Sequence, residues 1–296
     1  MSKISRRAWA EASMVLVAFI WGSTFVVVKD ALAEIGPFLF LGLRFVLAFL
    51  VLAILAFPSL RRVTWSTVWS GCLLGVFLFI GYTFQTVGLK YTTSSNAGFI
   101  TGINVVLVPI FYALFNRTFP SFKTLLTVLI ASLGLFLLSF PRGSLTLSYG
   151  DFLVLICALG FAFHIVFVDR FSHRHNAVAI TAIQILFVGL VCSGIGLATE
   201  PWPGRLSPSL VGAILVTAIF ATSLAFLLQN ALQKYSTPTR FAVVLTMEPV
   251  FAALAGFLWA GEMLSPRGLV GAGLILSSML ISILIRPQTA PIVERI

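Results

Sequence analysis

The sequence predicts an all-α polytopic membrane protein, with ten transmembrane helices arranged as two inverted five-helix repeats. Three observations support this prediction: an apolar composition, ten long apolar runs, and internal similarity between the two halves of the chain. Of the 296 residues, 59% are hydrophobic and only 9% are charged, whereas an ordinary soluble domain has roughly 25% charged residues. So few charges exclude a soluble enzyme.

Each apolar run has the length of a membrane-spanning helix, which needs about 17–25 residues to cross a hydrocarbon core about 30 Å thick. In chain order the runs are 12–28, 37–57, 68–89, 97–115, 124–140, 152–168, 177–198, 210–232, 241–260 and 269–285. The first follows a basic stretch, as in a secretory signal, but it is too long for one and lacks a cleavage site, so we expect a retained helix. The loops are too short for a catalytic, nucleotide-binding or DNA-binding domain.

The net charge of +10 is explained by membrane topology. Ten helices place both termini on one side of the membrane, and most cations lie on that side: Lys3, Arg6, Arg7, Arg61, Arg62, Arg117, Lys123, Arg170, Arg174, Lys234, Arg240, Arg286 and Arg295. Cytoplasmic loops carry the excess of Lys and Arg. Both termini are therefore predicted to face the cytoplasm, and no nucleic-acid partner is predicted.

Internal similarity divides the chain into two halves. At an offset of 144 positions, Gln85, Lys90 and Tyr91 coincide with Gln229, Lys234 and Tyr235. At an offset of 140, Val108-Pro109-Ile110-Phe111 aligns with Glu248-Pro249-Val250-Phe251. Because five is odd, the second copy must be inverted, an arrangement typical of secondary transporters with a binding site near the midplane. We expect the repeats to occupy residues 1–145 and 146–296.

Several short motifs point to a known family. They are Trp21-Gly22-Ser23-Thr24-Phe25 with Lys29, Leu43-Arg44-Phe45, Gly88-Leu89-Lys90-Tyr91, Asn96-Ala97, Pro109, Glu248-Pro249-Val250-Phe251, Gly261-Glu262 and Gly271. With them the chain resembles, over nearly its whole length, the EamA-like branch of the drug/metabolite transporter superfamily. One departure is that Gly261-Glu262 has no counterpart after Pro109. The resemblance implies ten helices, an inner-membrane location and export or exchange of small metabolites, without identifying the metabolite.

Two charged residues, Arg44 and Glu248, lie inside the apolar runs. A charge costs about 2.5–3.5 kcal/mol at the centre of a membrane helix on insertion scales, so it usually faces the bundle interior or a water-filled cavity. We expect Arg44 to bind a carboxylate or to act in gating, and Glu248 to carry a proton or to pair with Arg44 across the two halves. The alternatives are that Arg44 extends to the outer headgroups and that Glu248 is a structural acceptor.

Eight uncharged side chains complete the predicted substrate-binding and transport site: Trp21, Thr24, Tyr82, Gln85, Asn104, His164, Gln184 and Gln229. An amide in hydrocarbon must find a partner, so the amides either line a cavity or join helices at about 0.6 kcal/mol each. The Thr24 hydroxyl is expected to bond to its own helix. Histidine titrates near physiological pH, so His164 is a candidate for proton coupling, although a structural role is the alternative.

These observations predict a secondary transporter that moves small metabolites, amino acids or related organic solutes, across the cytoplasmic membrane by alternating access. No P-loop is present, which argues against an ATP-driven pump. The substrate is expected to be a small molecule, coupling to a proton or another ion is left open, and the protein is expected to be a monomer or homodimer in the lipid bilayer.

Two alternatives are a hydrolase-like intramembrane enzyme and a channel. Ser148-Tyr149-Gly150-Asp151 resembles part of the Gly-x-Gly-Asp motif of intramembrane aspartyl proteases, but it lacks the first glycine and a second membrane aspartate. No ring of charges suggests a channel filter. We therefore predict no catalytic residue and no cofactor. The three cysteines, Cys72, Cys157 and Cys192, lie inside the runs without disulfide or metal spacing, so no metal site is predicted.

Overall fold

The computed structural model describes residues 3–61, 63–92, 94–117, 119–139, 148–260 and 265–284, and these residues form helices joined by short loops. The α-helices are α1 (Lys3–Ala31), α2 (Pro37–Leu60), α3 (Trp65–Leu89), α4 (Ser94–Gly102), α5 (Asn104–Asn116), α6 (Phe122–Ser139), α7 (Tyr149–Ser172), α8 (Ala177–Thr199), α9 (Pro208–Val216), α10 (Ala225–Leu232), α11 (Pro238–Leu245), α12 (Met247–Ala260) and α13 (Pro266–Leu284). A π-helical segment (Thr217–Leu224) joins α9 to α10, and a 3₁₀ turn (Gln233–Tyr235) follows α10.

These helices make up the predicted membrane-spanning bundle. Within the described ranges, nine stretches are long and apolar enough to cross a membrane, and Phe122–Leu138 is a shorter apolar helix. The predicted all-α fold with ten spans is thereby confirmed. The predicted runs that end at residues 140 and 285 extend just beyond the described residues.

Local sequence signals fix where many helices begin. Pro37 and Pro208 occupy the first turns of α2 and α9, where the missing N–H would have no helical partner in any case. The Asn176 side chain caps α8. Ser148 and Asp151 form a reciprocal capping box at the start of α7, which satisfies two backbone N–H groups that the first helical turn leaves free.

The two described ends of the chain meet on one face of the bundle. Arg7 in α1 donates from Nη2 to the carbonyl oxygen of Ile283 in α13 at 2.8 Å. We call this face the terminal face and the opposite one the distal face. Since α1 begins at the terminal face and α7 at the distal face, the second half is inverted relative to the first.

A polar network on the terminal face joins the two halves. The buried Glu11 carboxylate of α1 accepts from Arg240 Nη1 of α11 at 3.3 Å and from Ser236 Oγ at 3.3 Å. Arg7 Nε also donates to it, at 2.8 Å. Helix α1 of the first half is thus bonded to two parts of the second half: the loop after the 3₁₀ turn, which contains Ser236, and helix α11, which contains Arg240.

The distal face carries the counterpart of this network. Asp151 of α7 accepts from Thr92 Oγ1 at 2.5 Å and from Asn96 Nδ2 at 3.4 Å. Its residues are related to those of the terminal network by 140 or 144 positions: Asp151 to Glu11, Thr92 to Ser236, and Asn96 to Arg240. The same offsets relate the starts of α2 and α8, and of α4 and α11. Equivalent contacts at opposite faces fit the arrangement of two inverted repeats.

Glycines set the distance between several helix pairs. A Cβ atom on Gly271 of α13 would lie 2.5 Å from the carbonyl oxygen of Gly134 in α6, and a Cβ on Gly134 would lie 2.7 Å from that of Gly271. A Cβ on Gly22 of α1 would lie 2.4 Å from the carbonyl oxygen of Glu248 in α12. In lipid, helix association depends on such close packing because apolar burial gives no advantage over contact with lipid tails.

The fourth and ninth spans are each broken near their middle. The break between α4 and α5 falls at Ile103, and that between α11 and α12 at Thr246. Helix α11 ends at Leu245, four residues before Pro249, because the proline ring lacks an N–H donor and crowds the carbonyl of residue i−4. Irregular backbone at membrane depth is tolerated where it is buried in protein or lines a cavity.

Candidate substrate-binding site

A cavity lies between the two halves at the level of the helix breaks. It contains about 680 Å³ of space not filled by protein atoms, part of it open to the surroundings. Its lining residues are Trp21, Thr24, Phe25, Val28, Arg44, Tyr82, Gln85, Thr86, Leu89, Thr101, Asn104, Phe161, His164, Ile165, Phe226, Gln229, Leu245 and Glu248.

The cavity lining follows the internal repeat. Six lining residues of the second half have a lining counterpart 140 or 144 positions earlier: Phe161 with Trp21, His164 with Thr24, Ile165 with Phe25, Phe226 with Tyr82, Gln229 with Gln85, and Leu245 with Thr101. Glu248 corresponds to the lining residue Asn104 at the offset of 144, whereas the Pro109–Pro249 match at the offset of 140 aligns it with Val108, which does not line the cavity. The two halves therefore contribute equivalent positions to one shared cavity, although the residue types differ within most pairs.

The first half contributes more residues to the lining than the second half does. Four lining residues of the first half have no lining counterpart: Val28, Arg44, Thr86 and Leu89. The equivalent residues of the second half, Val168, Gln184, Asn230 and Gln233, are each 0% exposed. Val28, Thr86 and Leu89 lie near the distal ends of their helices and Arg44 lies in the distal half of α2. Their buried counterparts therefore lie toward the terminal face. The cavity thus extends toward the distal face and is closed toward the terminal face.

Arg44 is bound by neutral groups beside the cavity. Its side chain is buried, and Nε donates to Thr222 Oγ1 at 2.7 Å. Nη2 lies 3.4 Å from both the Tyr82 hydroxyl and the Ala221 carbonyl oxygen. The guanidinium carbon also lies 4.8 Å from the centroid of the Tyr82 ring, a geometry that favours cation–π attraction.

The structure corrects the expected ion pair between Arg44 and Glu248. In the ranges that the structure describes, both ion pairs have Glu11 as their acid, and no carboxylate lies within pairing distance of Arg44. The π-helical segment provides the physical reason, because it places Thr222 and the Ala221 carbonyl where they accept from the guanidinium. Nor does Arg44 extend to the headgroups, since it is only 3% exposed.

Glu248 lines the cavity from the second residue of α12. This position is the first turn of the helix, where the helix dipole favours a negative charge. Among the described residues, no donor lies within hydrogen-bond distance of its carboxylate. The group is therefore available to a bound solute or a proton.

Trp21 and Phe226 form an aromatic wall of the cavity. The Trp21 indole N–H donates to the Ala221 carbonyl oxygen at 2.8 Å, which fixes the ring against the π-helical segment. The ring centroids of Trp21 and Phe226 are 5.3 Å apart, and Phe226 also lies 5.9 Å from Tyr82. As expected for a membrane threonine, Thr24 Oγ1 bonds within its own helix, to the Trp21 carbonyl at 2.9 Å.

His164 lies at the edge of the cavity and is held from behind by Gln184. The distance from His164 Nε2 to Gln184 Oε1 is 2.8 Å, and both side chains are buried. Gln184 is therefore the one predicted site residue that does not line the cavity. Its Nε2 is buried without a hydrogen-bond partner in the described part of the chain.

The remaining amides differ in how well they are bonded. Gln85 Nε2 donates to Thr101 Oγ1 at 3.1 Å. Asn104 Oδ1 and Gln229 Oε1, by contrast, are buried without a partner in the described part of the chain, and both residues line the cavity. A buried acceptor without a donor costs roughly 1–3 kcal/mol, so these two oxygens are ready to accept from a bound solute.

The structure brings together nine of the ten predicted residues around one cavity, with Gln184 directly behind His164. Sequence reasoning missed Phe161 and Phe226. The repeat offsets of 140 and 144 would have found them as the counterparts of Trp21 and Tyr82. It also missed Thr222, for which the only sequence signal is that it lies in a short run with further hydroxyl residues.

Comparison with known proteins gives consistent matches. A family model described as the EamA-like transporter family matches twice, over residues 8–140 and 148–284. An "Uncharacterized transporter" of Archaeoglobus fulgidus is 37% identical over 276 residues, covering 93% of this chain and 86% of the relative. The "Uncharacterized inner membrane transporter YedA" of Escherichia coli (strain K12) is 26% identical, covering 93% of this chain and 92% of the relative. A solved crystal structure with 19% identity shares the fold, with a TM-score of 0.78 over 93% of this chain and 96% of that chain.

Proposed function

Because the chain belongs to the EamA-like transporter family, we propose that it is a secondary transporter that exports or exchanges amino acids or related organic solutes by alternating access. The observation that carries this proposal is the cavity shared by equivalent positions of two inverted halves. Inverted-repeat transporters place their substrate site at such an interface near the midplane. Family and relatives are transporters, so the expectation that the chain is not an enzyme is confirmed.

The proposed orientation places the terminal face in the cytoplasm. Cations described on that face include Arg61, Arg117, Lys123, Arg170, Arg174, Lys234 and Arg240. The excess of Lys and Arg supports a cytoplasmic position for this face and for both termini. The cavity of this conformation then extends toward the outer side. The proposed repeats, 1–145 and 146–296, meet within 140–147, outside the described residues.

Arg44 is the proposed binding group for a substrate carboxylate. Its guanidinium is buried beside the cavity and is bonded only to neutral oxygens among the described residues. A planar guanidinium matches the geometry of a carboxylate and remains charged at physiological pH. Tyr82 and Thr222 hold the group in place, so a carboxylate would meet an already oriented cation.

Asn104, Gln229 and Glu248 are the proposed binding groups for a substrate amine. Two amide oxygens without partners and one carboxylate line the same cavity. An ammonium group has three donors and no acceptor, which suits three acceptors. Together with Arg44, this set supports a zwitterionic solute rather than a simple anion.

The aromatic residues of the lining suit an apolar portion of the same solute. Trp21, Tyr82, Phe161 and Phe226 all line the cavity. Tyr82 forms edge contacts with Phe161 and Phe226, with ring centroids 5.2 and 5.9 Å apart, and Trp21 packs against Phe226 at a tilt. Amino acids with apolar or aromatic side chains are therefore the first compounds to test.

The test is a flux assay with purified protein in liposomes. Vesicles loaded with unlabelled phenylalanine, leucine or isoleucine are diluted into a trace of the labelled amino acid, and its uptake is followed. A secondary transporter gives saturable counterflow, with transient accumulation of label above equilibrium. Non-saturating flux without counterflow would indicate a channel, and chemical change of the amino acid would indicate an enzyme; either result would contradict the proposal.

A further inference from the structure

Three buried amides of the second half occupy positions whose first-half counterparts line the cavity: Gln184, Asn230 and Gln233, equivalent to Arg44, Thr86 and Leu89. We propose that these amides, together with Val168, form a terminal gate that becomes part of the cavity lining when the cavity opens to the terminal face. The proposal rests on the alternating-access function proposed above, and it assigns a role to Asn230 and Gln233, which sequence analysis did not place in the site.

Gln233 makes the contact that closes the cavity. Its Nε2 donates to the carbonyl oxygen of Ile165 at 2.5 Å and so joins the 3₁₀ turn after α10 to α7. Ile165 lines the cavity, whereas Gln233 does not. The bond therefore lies directly on the terminal side of the cavity, between helices from different spans of the second half.

Gln229 connects this gate to the substrate site. Its Nε2 lies 3.5 Å from Gln233 Oε1, while its Oε1 has no partner in the described part of the chain and its side chain lines the cavity. A solute that donates to Gln229 therefore acts on a side chain that also contacts Gln233. Gln229 is thus placed to link occupancy of the cavity to the state of the gate.

The closed gate leaves polar atoms unsatisfied. Asn230 Nδ2 donates only within its own helix, to the Phe226 carbonyl at 2.8 Å, and Asn230 Oδ1 is unpartnered among the described residues. Gln184 Nε2 is likewise without a partner there. Buried polar atoms without partners destabilise the closed arrangement, and water entering from the terminal face would satisfy them. A permanent seal would be better made from apolar residues.

The first half shows what an opened gate looks like. The counterparts of Gln233 and Ile165 are Leu89 and Phe25, and both of these line the cavity. The Leu89 side chain has no donor with which to reproduce the bond of Gln233. If the two halves exchange conformations during the cycle, Val168 and the three amides take the positions that Val28, Arg44, Thr86 and Leu89 have here.

The experiment measures access to Val168 from the terminal face. Val168→Cys is placed in a chain whose native cysteines are replaced by alanine, reconstituted in liposomes, and treated with a membrane-impermeant thiol reagent on that face. We expect slow modification in this background, since Val168 is buried. Adding Gln233→Leu removes one hydrogen bond and should raise the modification rate roughly threefold to tenfold. An unchanged rate in correctly folded protein would overturn the gate.

Two further variants keep this test decisive. Ser278→Ala removes a buried, unpartnered hydroxyl from α13, away from the cavity, and should leave the rate unchanged. If Gln233→Leu does not fold, Leu89→Gln is the second variant, because it introduces an amide at the position equivalent to Gln233. When the distal side closes, this amide gains the Phe25 carbonyl as an acceptor, so the variant favours distal closure and should also raise the rate. No increase with Leu89→Gln would then contradict the gate.

The labelling assay needs no substrate, which separates this proposal from the proposed function. Rates that rise as expected in a protein without amino-acid counterflow would support the gate and contradict the proposed function. Counterflow in a protein whose labelling rate is the same with and without Gln233→Leu would support the function and contradict the gate.

Discussion

Arg44 shows how a charged residue can be stable inside a membrane bundle without an opposite charge. Its guanidinium bonds to Thr222, Tyr82 and the Ala221 carbonyl, three neutral acceptors. Because no acid is committed to it in the described structure, the positive charge is available to a ligand. This arrangement leads to a direct test of the role of Arg44 in substrate binding.

We predict that Arg44→Lys weakens the apparent affinity for a carboxylate solute about tenfold to a hundredfold, as expected for loss of hydrogen bonds to a charged group worth about 1.5–3 kcal/mol. Lysine keeps the charge but not the planar set of donors. The readout is the concentration dependence of counterflow in liposomes. Arg205→Lys, at an exposed position of a loop, is the matched control. Unchanged affinity in Arg44→Lys would rule out carboxylate recognition at this residue.

Glu248 leads to a second prediction at the residue scale. If its carboxylate carries the coupled proton, Glu248→Gln should abolish uptake driven by a pH gradient, because glutamine cannot release a proton. Counterflow of substrate for substrate should persist at a higher half-saturation concentration, because the amide oxygen still accepts from the substrate amine but carries no charge. Glu34→Gln, at an exposed position beyond α1, should affect neither mode. Equal loss of both modes with normal expression would instead indicate a structural or binding role.

The site residues that could be predicted from the sequence were the polar ones, because a polar residue stands out within an apolar run. Polarity alone identified Gln85, Asn104 and Gln229, since an amide in hydrocarbon needs a partner. It could not identify Phe161 or Phe226, because phenylalanine is equally common facing lipid. Polarity also could not predict the hydrogen-bond partners of Arg44. Two of these partners, Thr222 and the Ala221 carbonyl, lie in a π-helical segment that the residue pattern does not reveal.

At the scale of helices, glycine contacts determine which pairs approach closely. On α13, a Cβ at Gly271 would lie 2.5 Å from the Gly134 carbonyl oxygen and 2.5 Å from the Leu138 backbone N, whereas a Cβ at Gly273 would meet nothing within 4 Å. The two positions are on the same helix, two residues apart. They therefore provide a matched comparison of helix packing with helix propensity.

We predict that Gly271→Ala destabilises the protein by about 1–3 kcal/mol, the usual cost of overpacking, because backbone atoms of α6 cannot move aside as a side chain could. Gly273→Ala should be neutral or stabilising, since alanine is the better helix former. Thermal unfolding in detergent, followed by loss of monodisperse protein, measures both. Equal stability of the two variants would show that α6 and α13 are not packed as described.

The number of helices was predictable because it follows from the number and length of the apolar runs. The breaks within the fourth and ninth spans were harder to predict. The apolar run 97–115 contains the break at Ile103, and the run 241–260 contains the break at Thr246. Hydropathy passes over both breaks because each lies within a single predominantly apolar run. Pro249 does indicate the second break, since its ring crowds the carbonyl of Leu245, whereas Ile103 lies six residues before Pro109 and is not explained by it. Both breaks occur where the spans reach the cavity, and tertiary contacts stabilise them there.

At the scale of the whole molecule, the repeat relates features that are far apart in sequence. Glu11 with Arg240 on the terminal face corresponds to Asp151 with Asn96 on the distal face, by the same offsets that pair the cavity residues. The pairs are not chemically equal, since one has a guanidinium donor and the other an amide. The inverted arrangement also fixes which loops share a side of the membrane, and this can be tested directly.

We predict that the loop after α7 lies in the cytoplasm and the loop after α8 lies outside. Arg174 and Arg205 are exposed in these two loops, so Arg174→Cys and Arg205→Cys provide matched single-cysteine variants once the native cysteines are replaced. In intact cells, an impermeant thiol reagent should label Arg205→Cys and spare Arg174→Cys, and in inside-out vesicles the preference should reverse. If Arg205→Cys is labelled from the cytoplasmic side, the positive-inside orientation is wrong; if both variants react from one side, α8 does not cross the membrane.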